Sequence, residues 1–121
     1  MVKSELRDGI VWVTIEGELV SQDTMREIGK WLSQREAFSG FITDLRPMTS
    51  IPSTEEQKRL EAWRKQNKSG KPHALLGQTN ALGALIQIYI RLTRAEDTRY
   101  FMSPERAIAW VRGFDQRGER I

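Results

Sequence analysis

The chain has no cysteine and only one histidine, His73, among its 121 residues. Without thiols it can form no disulfide, use no cysteine nucleophile and offer no thiolate to a metal. One imidazole cannot form a histidine metal cluster either. The sequence also lacks a glycine-rich phosphate loop and a histidine-centred catalytic pair. We therefore expect no cofactor, no metal and no enzymatic activity.

Long hydrophobic runs are also missing. The longest apolar stretch, residues 81–92, is interrupted by Gln87 and Arg91. It is shorter than the roughly 20 residues that a membrane-spanning helix needs. The first eight residues are too charged to contain the apolar core of a signal peptide. We expect a cytoplasmic protein with no stable membrane insertion.

The charge is nearly balanced, with 19 basic and 16 acidic residues and a net charge of +3. The basic residues are mixed with acids and form no stripe interleaved with aromatic residues, so we expect no nucleic-acid partner. Hydrophobic residues make up 39% of the chain and charged residues 29%, which is ordinary for one globular domain of this length.

The apolar pattern predicts strands that alternate with helices. Asp8-Gly9 separates two apolar runs, 2–6 and 10–15, and this predicts a β-hairpin. The second run is apolar on both faces, as in a strand that is covered on both sides. Further strands are predicted at 41–45, at 73–77 and just before Ser103.

Residues that can cap a helix predict where four helices begin. These are Ser21 or Asp23, Ser53 with Glu56 three residues later, Thr79 or Asn80, and Ser103 before Pro104. Residues 85–92 also alternate like a strand, but the distance between the flanking strands fits a helical crossover. Gly113 is predicted to end the last helix.

The predicted fold class is therefore α/β, with a mostly parallel sheet of four to five strands, helices and an N-terminal β-hairpin. Residues 1–113 are predicted to form one domain and 114–121 a polar tail.

Four stretches carry a resemblance to a known family: 8–13, 42–46, the apolar helix with Tyr89, and 100–110. Together they resemble the STAS domain class, named after anti-sigma-factor antagonists, and within it the small bacterial SpoIIAA-like proteins. The resemblance covers residues 6–111 and implies the same fold. Classical STAS antagonists carry a phosphorylatable serine in an Asp-Ser-Ser-Gly setting after the third strand.

The matching stretch here, 44–54, lacks the Asp-Ser-Ser-Gly motif but contains several hydroxyl groups. One hypothesis is a regulatory phosphosite at Ser50, Ser53 or Thr54, where a helix N-terminus favours an anion. The alternative is that Ser53 only caps the helix.

Three further residues are candidate contacts for a ligand or partner: Asp44, Arg46 and Tyr89. Asp44 and Arg46 follow a strand at the edge where α/β sheets bind ligands, although an ion pair between them is the alternative. His73 is predicted to be structural or exposed. Glu55, Glu56 and Glu61 are interpreted as a solvated helix face.

The predicted 81–92 helix is apolar on more than one face, so a second surface is expected to cover it. We predict a homodimer through this helix; a bound partner, an acyl chain or burial within the monomer are alternatives. The predicted function is a non-enzymatic STAS-like regulatory or protein-interaction module. The alternative is a protein that binds a small molecule or lipid in an apolar cavity. Its predicted lining is Trp12, Tyr89, Phe101 and Trp110.

Overall fold

The computed structural model describes residues 1–50, 52–67, 69–81, 83–84, 86–87 and 97–119. The strands are β1 (Val2–Arg7), β2 (Ile10–Ile15), β3 (Gly40–Asp44), β4 (His73–Leu76) and β5 (Thr98–Phe101). The helices are α1 (Ser21–Leu32), α2 (Thr54–Gln66) and α3 (Pro104–Glu119), with a short 3-10 helix at Arg35–Ala37.

The predicted hairpin joins β1 to β2. Arg7 pairs with Ile10 in an antiparallel register, so only Asp8 and Gly9 form the loop. Their φ angles of 49° and 80° are both positive. Positive values at both central residues identify a type I′ turn, which asparagine, aspartate and glycine accept most readily.

The sheet follows chain order, β1-β2-β3-β4-β5, and every pair after the first is parallel. When parallel strands are added in one direction, right-handed crossovers place the connecting helices on the same face. α1 and α2 both lie on this face, and α3 packs against the other. The predicted α/β class and the mostly parallel sheet are confirmed.

The core has two parts, one on each face of the sheet. Val11, Val13 and Phe41 pack beneath α1, whereas Ile10 and Trp12 face α3. β2 is therefore buried on both sides, as its sequence predicts. The α3 part is the larger and includes Ile42, Ala74, Leu76, Ala107, Trp110 and Val111.

The end of α3 differs from the prediction. The helix passes through Gly113 and continues to Glu119. A glycine inside a helix costs only about 1 kcal/mol, and the Phe114 ring beyond it packs on Trp110 with 5.3 Å between centroids. That contact favours continuing the helix. The division into a domain at 1–113 and a tail at 114–121 stays a prediction.

The segment before β5 is helical at the described residues between Asn80 and Gln87. Gly83 is buried against the ring of Tyr100, where a Cβ would come within 2.6 Å of the ring. Most of the apolar residues in the predicted 81–92 helix lie outside the described residues, and the predicted homodimer surface lies there with them. Within the described part of the chain, no helix is long and apolar enough to cross a membrane.

Candidate functional site

The loop after β3 lies at the carboxyl edge of the sheet, where α/β folds place ligands. Two backbone hydrogen bonds tie it to the connection between β2 and α1. The Gly17 amide donates to the Pro47 carbonyl at 3.2 Å, and the Thr49 amide donates to the Gly17 carbonyl at 2.8 Å. The start of this loop is thus fixed to the neighbouring connection.

Asp44 and Arg46 form an ion pair with each other. The Arg46 guanidinium donates to both carboxylate oxygens of Asp44, each at 2.9 Å, and the Arg46 amide donates to one of them at 3.0 Å. Burial of Asp44 raises its pKa, but hydrogen bonds from Arg46 outweigh this, so the pKa lies below its ordinary value. The pair holds the first turn of the loop.

Ser53 caps α2, as predicted, because its Oγ accepts the Glu56 amide at 3.2 Å. The second half of the predicted capping box is different. The Glu56 carboxylate accepts the backbone amide of Ser21 at 2.6 Å. Glu56 therefore links the start of α2 to the start of α1.

The same contact corrects two predictions. α1 has Val20 at its N-cap and no side-chain cap of its own, so neither Ser21 nor Asp23 serves as the predicted cap. Instead, a carboxylate from α2 occupies the positive end of this helix. Hydrogen bonds from Ser21 lower the pKa of Glu56, and its side chain contributes more than its amide. Glu56 is thus not part of a purely solvated helix face.

The three candidate phosphosites lie close together in sequence, and all are exposed. Ser50 follows the tied part of the loop, Ser53 caps α2 and Thr54 is its first residue. Ile51, between them, lies outside the described residues, as does the candidate contact Tyr89. The structure therefore places Asp44, Arg46 and the three hydroxyl residues in one loop region, without Tyr89.

His73 lies in a buried polar cluster that the sequence did not predict. Its ring stacks on Phe41 with 4.5 Å between centroids, and Nε2 is 3.4 Å from the Ser69 hydroxyl. Burial, with a smaller contribution from Arg64, lowers the pKa of His73 to about 4. Arg64 itself pairs with Asp97 at 2.9 Å. The histidine is thus structural, which agrees with one of the two predictions.

Three of the four aromatic residues predicted to line a cavity belong to the core beside α3. Trp12 and Trp110 are buried, and the Phe101 ring lies 5.7 Å from that of Trp110. Tyr89, the fourth predicted lining residue, is outside the described residues. Among the described residues, no group of three or more acidic or histidine side chains is placed to hold a metal ion.

Comparison with known proteins gives structural neighbours only. The sequence matches no family model and no curated protein. An anti-sigma factor antagonist from Mycobacterium paratuberculosis superimposes with a TM-score of 0.66 at 17% identity, over 93% of each chain. The chain has the SpoIIAA-like fold.

Two further solved structures support this assignment. An uncharacterised protein of the DUF3478 family with a SpoIIAA-like fold, from Shewanella loihica, has a TM-score of 0.66 at 13% identity over 92% of each chain. SpoIIAA in its unphosphorylated form has a TM-score of 0.62 at 16% identity, over 93% of this chain and 99% of its own. The predicted resemblance to the SpoIIAA-like fold is therefore confirmed at the level of the fold.

Sequence reasoning missed the role of Glu56 and the buried cluster around His73. The role of Glu56 had only an indirect sequence signal: Val20, the residue just before α1, has no side chain that can accept a hydrogen bond. The Ser21 amide therefore needed an acceptor from elsewhere in the fold. Nothing in the local sequence identified which residue would supply it.

Proposed function

We propose that this SpoIIAA-like domain is a non-enzymatic regulatory module that binds a protein partner through the loop after β3. The proposal rests on three exposed residues with hydroxyl groups before and at the start of α2: Ser50, Ser53 and Thr54. The start of α2 contacts the start of α1. The structural neighbours include two anti-sigma factor antagonists, which are regulators that act through other proteins.

The loop suits a recognition surface because its backbone is tied down while its side chains stay accessible. Hydrogen bonds to Gly17 and the Asp44–Arg46 pair hold the backbone. Thr49 and Ser50 are exposed, and neighbouring Val20 is 41% exposed. A preformed loop loses little conformational entropy on binding.

Phosphorylation would give this surface two states. A phosphate on Ser53 would carry a charge of about −1.5 to −2 at the start of α2, three residues before Glu56. Repulsion between this phosphate and the Glu56 carboxylate would weaken the hydrogen bond from the Ser21 amide. The start of α1 would then separate from the start of α2, and the surface that they form together would change.

Site-specific photocrosslinking in the native host tests the partner surface. A photoreactive amino acid at Ser50 should capture a defined protein. The same group at Glu36, which is exposed before β3 and therefore near the opposite end of the sheet, should not. Equal capture at both positions would contradict the proposal.

Intact-mass and peptide analysis of protein from the same cells tests the phosphosites. We expect phosphate on one of Ser50, Ser53 or Thr54, and loss of that mass when the modified residue is changed to alanine. Unmodified protein under all growth conditions tested would remove phosphorylation from the proposal, and the crosslinking result would then decide the partner surface alone.

A further inference from the structure

A groove of about 650 Å³ lies between β5 and the first turns of α3. It is separate in sequence from the loop after β3. Its principal lining residues are two arginines and four apolar residues: Arg99, Arg106, Phe101, Met102, Ala109 and Trp110. This size is typical of sites for small organic molecules.

The two arginines of the groove have no acidic partner within the described part of the chain. The Arg99 guanidinium lies 5.7 Å from the centre of the Phe101 ring, and the Arg106 side chain is exposed. Arg46 and Arg64 differ, because each is paired with an aspartate at 2.9 Å. Glu105, next to Arg106 in sequence, accepts a hydrogen bond from the Ser103 hydroxyl.

The rest of the lining combines apolar side chains with the hydroxyl groups of Tyr100 and Ser103. The Phe101 and Trp110 rings contact each other at an angle of 48°. Met102 is 52% exposed, which is unusual for a large apolar side chain in this molecule. The groove therefore combines accessible apolar surface with two arginines that have no acidic partner among the described residues.

We propose that this groove binds an organic anion with a carboxylate or phosphate head and an apolar body. Guanidinium groups bind both heads through paired, charge-assisted hydrogen bonds. The apolar body would cover Met102 and the exposed edge of Phe101. This site needs neither the loop after β3 nor a protein partner, so it is independent of the proposed function.

Titration of the whole isotopically labelled chain with three probes that each have an eight-carbon chain tests the site by NMR. Octanoate and octyl phosphate have the required chemistry, and octyltrimethylammonium is the cationic match. We expect saturable shifts in the amides of 98–110 with at least one anion, and the tighter of the two identifies the head. Acetate and inorganic phosphate, which lack the apolar body, should bind more weakly.

Two substitutions and a matched control locate the binding. The double variant R99Q/R106Q should weaken binding of the anion about tenfold or more, because hydrogen bonds to charged groups are lost. A109W should weaken it by filling the groove without changing the charge. R112Q is the matched control for R106Q, because each removes one positive charge from α3. The Arg112 side chain points to the Asp8 carbonyl, so R106Q should weaken binding and R112Q should not.

Several results would overturn the proposal. These are equal binding of the cationic probe, equal binding of acetate and octanoate, shifts centred outside 98–110, or unchanged affinity in R99Q/R106Q. Loss of binding in R112Q equal to that in R106Q would also overturn it, because only net charge would then matter. Crosslinking from Ser50 in R99Q/R106Q shows separately whether the partner surface is intact.

Discussion

The ends of β3 and β5 lie along the same edge of the sheet, but they use their charged residues in opposite ways. After β3, Arg46 is bound to Asp44 and Glu56 is bound to the Ser21 amide. Beside β5, Arg99 and Arg106 face a groove without an acidic partner in the described residues. Charges at the first end hold the backbone, whereas those at the second are available to a ligand.

The difference shows why the position of a charged residue at a sheet edge does not by itself identify a binding site. Asp44 and Arg46 have the sequence position of ligand contacts, yet their strongest hydrogen-bonding groups are engaged with each other. Arg99 and Arg106 lie in a strand and a helix, and only the fold brings them to one groove. The following substitutions and pH changes test this comparison.

The largest expected effect concerns His73, the first residue of β4, which lies between β3 and β5 in the sheet. The pKa of His73 is about 4 in the folded chain and about 6.5 in the unfolded chain. Between pH 6.5 and 4 the unfolded chain therefore binds more protons than the folded chain. The contribution of His73 to the free energy of unfolding is full above pH 6.5 and falls as the pH decreases towards 4. The loss should be on the order of 2–3 kcal/mol.

Urea denaturation at several pH values measures this loss. H73F keeps a ring that can stack on Phe41 but cannot titrate, so the slope between pH 6.5 and 4 should largely disappear. An unchanged slope in this variant would assign the pH dependence to other groups.

The next effect concerns Gly77, at the other end of β4. Its amide donates to the Phe101 carbonyl at 2.9 Å, and an added Cβ would collide with the Tyr100 hydroxyl. G77A should destabilise the chain by about 1–3 kcal/mol, because the ring must move or the backbone must shift. Thermal or urea unfolding gives the value.

Gly29 provides the matched control for this substitution. A Cβ there would lie 3.8 Å from the Trp63 ring, an ordinary contact. G29A lies inside α1 and should stabilise the chain by up to about 1 kcal/mol. Equal effects of the two substitutions would show that close packing against Tyr100 does not restrict Gly77.

A direct test of the comparison replaces arginine by glutamine after β3 and beside β5. R46Q leaves the largely buried Asp44 carboxylate without its guanidinium, which should cost about 1–2 kcal/mol of stability. R99Q and R106Q remove no ion pair with a described residue, so each should change stability by less than about 0.5 kcal/mol. Equal losses in denaturant unfolding at both ends would refute the distinction between structural and available charges.

The last expected effect is local and follows from E56A. The Ser21 amide would lose its acceptor, so the first turn of α1 should open more often. Hydrogen exchange at that turn should speed up, while exchange in α3 stays the same. E56Q, which keeps an acceptor oxygen, should give an intermediate result, and identical exchange in all three proteins would show that Glu56 does not cap α1.

The fold could be predicted because its determinants are local. Asp8-Gly9 specifies a turn, Ser53 and Ser103 cap the helices that follow them, and the apolar faces of β2 require cover on both sides. Capping by Glu56 could not be predicted, because its partner is 35 residues away. The extension of α3 depends on Phe114 packing against Trp110, a contact that outweighs the cost of Gly113.

The candidate site was predicted less well for the same reason. Ser50, Ser53 and Thr54 were placed correctly in the loop and at the helix start, since both depend on nearby residues. The Asp44–Arg46 ion pair was predicted as the alternative to a ligand contact, because the two residues are only two positions apart. Whether Arg99 and Arg106 face one groove depends instead on how α3 packs against β5. Sequence spacing identifies which charged residues are present at an edge, and only tertiary structure shows which remain uncompensated.

The position of α3 has a consequence for synthesis of the chain. Of the described elements, it is the last to leave the ribosome, yet it alone packs against one face of the sheet. Until Pro104 and the residues after it emerge, Trp12, Ile42 and Leu76 lack the helix that packs on them in the folded chain. The nascent domain would expose an apolar sheet face to chaperones, and its core would close only after α3 has emerged.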